Sequence, residues 1–177
     1  SRLSVCDYSR IDPTWRYLFI VVLLTGGLLS CSARPNVFSE PRDERLFRFD
    51  QEHAQLRRTN NPIRLTKIYI RISDLRISFV GDAITLGDFE MMEEHLDGYK
   101  ETVKDARNTM MNSDRDAASR AAGFRELEIA LRQHMRQLDD IGGRLTFQYR
   151  EPIEKVINYI AEIRDELLKA LFPEGHA

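Results

Sequence analysis

From Glu40 onward, apolar residues return three and four positions apart, almost to the end of the chain. A period near 3.6 gathers such residues on one helical face, so this spacing restricts the chain to amphipathic helices. Leu46, Phe47, Phe49, Ala54 and Leu56 define the first stretch, with Ser39 placed to cap it. Asn61 followed by Pro62 opens the second: a capping side chain, then a residue with no N–H to satisfy. Within it, Ile68, Ile70 and Ile72 alternate as strand residues would, yet Leu65, Ile68, Ile72, Leu75, Phe79, Ala83 and Leu86 fit one helical face without a reset. A strand pair here would have to turn at Ser73-Asp74, which offers no hairpin glycine, so the reading is helix.

Gly87-Asp88 makes the next turn, with Asp88 as cap. Phe89, Met92, Leu96, Tyr99, Val103, Ala106 and Met110 then form a third stripe. "NSDRD" separates it from a fourth, Ala117, Phe124, Leu127, Leu131, Leu138 and Ile141, which Gly142-Gly143 ends. Pro152 is expected to open the last helix, carrying Ile153, Val156, Ile160, Ile163, Leu167 and Leu171. Short connections between such helices predict an all-α fold, an antiparallel bundle of four to five helices over residues 40–177.

What precedes the bundle is of another kind. Tyr17 to Leu29 carries no charge and follows Arg10 and Arg16. A spanning helix needs about 20 apolar residues, so this run has the length of a secretory h-region instead. It ends in Leu28-Leu29-Ser30-Cys31, which resembles the lipobox of bacterial lipoprotein precursors; Leu29 stands where that family more often has Ala, Ser, Thr or Val. The resemblance covers residues 10–31. It implies that the signal segment 1–30 is cleaved, that Cys31 takes the lipid, and that residues 31–39 tether the domain to a membrane. Retention of the segment at 17–29 as an uncleaved anchor is the competing reading. Ser32 follows the cysteine, where an aspartate would resemble an inner-membrane retention signal, so the expected location is the periplasmic side of the outer membrane. No methionine precedes Met91, so Ser1 is not expected to be the natural start. The only other cysteine is Cys6, so the domain is expected to fold without a disulfide.

Chemistry is sparse. No Gly-rich phosphate loop, Gly-x-Ser-x-Gly elbow, His-Glu-x-x-His or Cys-x-x-Cys occurs, and no catalytic residue, metal ligand or cofactor is expected. Asp50 and His53 have Glu-x-x-His-like spacing without a second pair. Arg48 and His53 have a spacing similar to the Arg-x4-His of HEPN nucleases, but an exported chain meets little RNA. "LGDFEMM" is similar to the turn of a tetratricopeptide repeat, with Met92 where that family wants a small residue and no second copy at its period. His134 falls on the fourth apolar stripe and reads as a core histidine with one hydrogen bond.

Charge says more. Residues 42–76 hold nine Lys/Arg against five Asp/Glu, whereas 82–116 hold ten acidic and four basic residues. These blocks are expected either to pair along the helix rims or to serve as surfaces, the basic one towards anionic headgroups. The domain as a whole is slightly acidic, which argues against a nucleic-acid partner. On the fourth helix Arg125, Glu128, Arg132 and Arg136 form a candidate partner surface, because the repulsive Arg132/Arg136 pair would welcome an outside carboxylate. The expected function is a non-enzymatic, membrane-anchored scaffold or adaptor for an envelope protein. The alternative is a binding module that holds a small apolar or lipid ligand within the bundle.

Overall fold

The computed structural model describes residues 40–173; the signal-like segment, Cys31 and Ser39 lie outside the described residues. The chain divides into Ser1–Pro35 and Asn36–Ala177, and the helices described below belong to the second unit. They are α1 (Arg42–Leu56), α2 (Pro62–Leu86), α3 (Phe89–Met111), α4 (Phe124–Gly142) and α5 (Phe147–Leu171), with no strand among them. The protein is an all-α antiparallel bundle.

Local chemistry sets the helix ends. Asn61 Oδ1 accepts the Arg64 N–H at 3.1 Å and Pro62 follows it, so α2 starts where the sequence placed it. Gly87 closes α2 in the left-handed region at φ +73, which lets the Asp88 N–H reach back to the Ala83 carbonyl at 2.9 Å. Asp88 Oδ1 then accepts the Met91 N–H and starts α3. Gly123, at φ +92, sits against the Met110 thioether before α4, and a Cβ there would lie 2.7 Å from Sδ. Glu126 reaches back to the Gly123 N–H.

α2 is the middle of the assembly. It packs on α1, α3 and α4, while α5 closes the other side against α3 and α4. Ile68, Ile70, Ile72, Leu75, Ile77, Phe79, Val80 and Ala83 are all buried, more than one helical stripe can account for. That is why the segment read ambiguously: a helix enclosed on several sides loses its amphipathic signature. Met92, Leu96, Tyr99, Val103, Ala106 and Met110 from α3, Phe124, Leu127, Leu131 and Leu138 from α4, and Ile153, Val156, Ile160, Ile163 and Leu167 from α5 complete the core.

Four expectations are corrected. α1 has Pro41 rather than Ser39 at its N-cap position, and not all its apolar residues face the core: Phe49 meets Phe79, but Leu46 and Phe47 are exposed, while Arg45 and Glu52 are buried. Pro152 lies inside α5, which begins at Phe147 after Thr146. The missing Pro152 N–H falls opposite the carbonyl of Gln148, an exposed residue that water can satisfy. Ala117 is buried but belongs to the loop before α4, not to the helix.

Truncating Ile72, fully enclosed at the centre of α2, to alanine should cost about 2–5 kcal/mol, read from urea unfolding. A loss under half that would mean the centre collapses around the missing methyl groups.

Candidate functional site

Three groups of side chains could carry function: a buried hydrogen-bonded chain, a cation–aromatic ladder and the outer row of α4. The first joins α2, α3 and α4. Tyr99 Oη lies 3.0 Å from His134 Nδ1, and His134 Nε2 lies 2.8 Å from Asp74 Oδ1. With Nε2 protonated and donating to the carboxylate, Nδ1 accepts from the phenol, and both ring nitrogens are satisfied. The order Tyr-His-Asp resembles a proton relay, but Tyr99 and His134 are almost wholly enclosed. Burial, then the charge of Asp74, pushes the Tyr99 phenol well above its ordinary value. A phenol held neutral and closed off from solvent is a cross-brace, not a nucleophile or base. His134 thus makes two hydrogen bonds where one was expected.

The second group holds α1 on the bundle. The Arg45 guanidinium meets both oxygens of Asp82 at 2.8 and 3.0 Å, and Arg71 forms a two-point pair with Glu52 at 2.6 and 2.7 Å. Between these clasps runs a row of rings: His53 on Phe49 (4.5 Å), Phe49 on Phe79 (5.8 Å) and Phe79 on His95 (5.3 Å). Arg76 covers Phe49 at 4.8 Å and Arg45 covers Phe79 at 5.7 Å. The Arg76 guanidinium fills the space beside Gly98, where a Cβ would lie 2.5 Å from its carbon. His53 Nε2, His95 Nδ1 and the Nε atoms of Arg45 and Arg76 are buried without hydrogen-bond partners.

Both histidines are held below the usual imidazole range, first by burial and next by Arg76. Arg57 adds to this at His53 while Asp50 opposes it; at His95, Arg42 adds while Glu94 and Asp82 oppose. Arg48 pairs with Glu40, so the Arg48–His53 spacing assembles no joint site. Asp50 is exposed, and among the described residues no group of three or more His, Cys, Asp or Glu gathers to hold a metal.

The third group is the surface singled out on α4. Arg125, Arg132 and Arg136 are exposed along one line of the helix. Glu128 is not part of that outer face. It is buried, pairing with Arg132 at 3.1 Å and with Arg164 of α5 at 2.9 Å. The carboxylate beside Arg132 is therefore the chain's own, and it ties α4 to α5.

The charge blocks pair only in part. Arg45–Asp82 joins them and Arg76 lies in the field of Glu94, but Arg71–Glu52, Lys100–Asp97 and Lys104–Glu101 stay within a block. Lys67–Glu126 and Arg107–Glu166 reach instead to α4 and α5. One surface pocket of about 300 Å³ lies at the α1–α2 turn, lined by Arg58, Arg64, Lys67 and Arg71. Another of about 220 Å³ lies between α3 and α5, with Glu93, Asp97, Lys100 and Lys155 around it. Both open to solvent, and four charged residues contribute to the wall of each.

No protein family, curated protein or solved structure matches this chain. No described helix is long and apolar enough to cross a membrane.

Replacing Tyr99 by Phe leaves His134 Nδ1 without a donor and should cost about 1–3 kcal/mol in urea unfolding, with the fold retained by circular dichroism. A neutral result would mean that water replaces the phenol. The two depressed imidazoles set a pH dependence. The unfolded chain takes up protons below about pH 6.5 while the folded one resists them, so stability holds above that pH and falls as the pH drops towards the folded values. Urea midpoints measured between about pH 7.5 and about pH 5 should show this decline, and a His53→Gln/His95→Gln variant should show a shallower one. Identical slopes would assign the decline to other groups.

Proposed function

We propose that this chain is a membrane-anchored lipoprotein of the bacterial envelope, facing the periplasm from the outer membrane through lipid on Cys31. Its helical bundle serves as a non-enzymatic scaffold or adaptor for another envelope protein. The observation that carries the adaptor reading is the row on α4. Arg125 and Arg136 stand exposed with no carboxylate pairing them among the described residues, while Arg132 shares the buried Glu128. Arginine planes presented in line along a rigid, buried-backed helix fit an acidic partner surface, since guanidinium groups bind carboxylates two-pronged. Glu128 and Arg164 fix the helix beneath them, which keeps the row in register.

Two further points support this reading over catalysis or ligand storage. The one relay-like triad among the described residues is enclosed in the core. The bundle interior is filled by side chains such as Ile72, Leu131 and Ile160, which leave no exposed surface.

Crosslinking in cells followed by recovery from solubilised membranes tests the reading. The full chain should capture one dominant partner. Cys31→Ser should lose it, and Arg125→Glu/Arg136→Glu should lower its recovery several-fold without changing the melting temperature. Equal recovery from all three chains would contradict both the anchor and the α4 surface.

A further inference from the structure

The large apolar side chains that the bundle leaves outside are unevenly distributed. α1 and α2 are antiparallel, as the Arg45–Asp82 and Glu52–Arg71 pairs require, so the start of α1 lies beside the end of α2. Phe89 stacks on Tyr149 at 3.7 Å with nearly parallel rings, which brings the starts of α3 and α5 to that same end. Arg42 reaches Met91 Sδ at 3.8 Å, and Arg150 pairs with Asp139 near the end of α4. Of the six large apolar residues exposed among the described residues, four belong to this end: Leu46, Phe47 (64%), Leu86 (63%) and Phe147 (92%). Only Met111 and Phe172 lie at the other. Scattered exposed apolar residues need no explanation, but a concentration at one end does.

That end is also where the described bundle joins the preceding residues, at Glu40. Resting on the lipoprotein reading above, we infer that this end of the bundle docks on the lipid surface, with Phe47, Leu86 and Phe147 entering the headgroup–acyl boundary. The occupant is a bilayer rather than a protein because only eight residues, 32–39, separate Cys31 from Glu40. Even fully extended they span about 30 Å, so this end cannot travel far from a membrane that holds Cys31. Exposed aromatic residues held there are at high local lipid concentration and lose their contact with water by insertion.

Charge does not drive the docking. Asp43, Glu44, Glu90, Asp139 and Asp140 surround the same end with Arg42, Arg144 and Arg150, an acidic balance, so an anionic surface is not attracted. The contact is apolar, works on zwitterionic lipid and is insensitive to salt. The basic pocket at the α1–α2 turn lies at the opposite end of α1, away from this surface.

Trp15, the one tryptophan, precedes Cys31, so a reporter is readily introduced. In a Trp15→Phe background, Phe47→Trp, Leu86→Trp, Phe147→Trp and, as the distal control, Phe172→Trp are placed one at a time. Each full chain, purified from membranes, is reconstituted into phosphatidylcholine vesicles with and without brominated acyl chains. The three proximal reporters should shift to shorter wavelength and lose most of their emission to bromine, at low and high salt alike, while the distal one should not. Four equally solvent-like reporters, or chains that do not float with vesicles, would overturn the inference. Intact mass reads Cys31 separately. Quenching with an unmodified Cys31 would sink the lipoprotein reading and leave the membrane-facing end standing, held by residues 17–29. A lipidated chain without quenching would do the reverse.

Discussion

Enclosure of α2 is the constraint on which the rest of the structure depends. A helix surrounded by α1, α3 and α4 must find partners for the polar groups it buries, and on α2 most are met within the helix or by a neighbouring one, with the Arg76 Nε as the exception. Thr66 Oγ1 donates to the Pro62 carbonyl at 2.9 Å and Ser78 Oγ to that of Leu75 at 2.7 Å. Asp74 turns to His134, whose other nitrogen is taken by Tyr99. That chain of three residues from three helices fixes the register in which α3 and α4 meet α2, because a slip on any of them would strand a buried polar atom.

α1 obeys a different rule. Its apolar residues are exposed or half-buried, and its buried side chains are Arg45 and Glu52. Two-point ion pairs and cation–ring contacts therefore hold it, where hydrocarbon holds the other four helices. The orphaned nitrogens along the ring row mark this as the least satisfied contact of the fold. α1 is also the helix through which residues before Glu40 connect to the bundle, so in the proposed lipoprotein it transmits any restraint from the membrane to the scaffold behind it.

Sequence made the local events legible and the tertiary ones not. Asn61-Pro62 and Gly87-Asp88 are readable because a cap depends on residues within a few positions of one another. The stripes of α3, α4 and α5 are readable because each helix has one buried side. α2 is ambiguous for the opposite reason, and α1 is legible as a helix but not its buried face, because the sequence does not show that Arg45 would find Asp82 and displace Leu46 and Phe47 from the interface. His134 announced itself on the apolar stripe, but Tyr99 and Asp74 stand 35 and 60 residues away. Glu128 shows the same limit: its spacing to Arg132 was evident, its burial under Arg164 was not. The cluster of exposed apolar residues at one bundle end needs the topology before it can be seen at all.

Hydrogen exchange on the native domain tests most directly the division between an apolar four-helix core and an electrostatically held α1. Amides of α1 should exchange through a local opening well below the global unfolding free energy, and faster still as salt rises, while those of α2 to α5 exchange together in the global event. Protection of α1 equal to that of α2, unmoved by salt, would show that the helix belongs to the core and contradict the account.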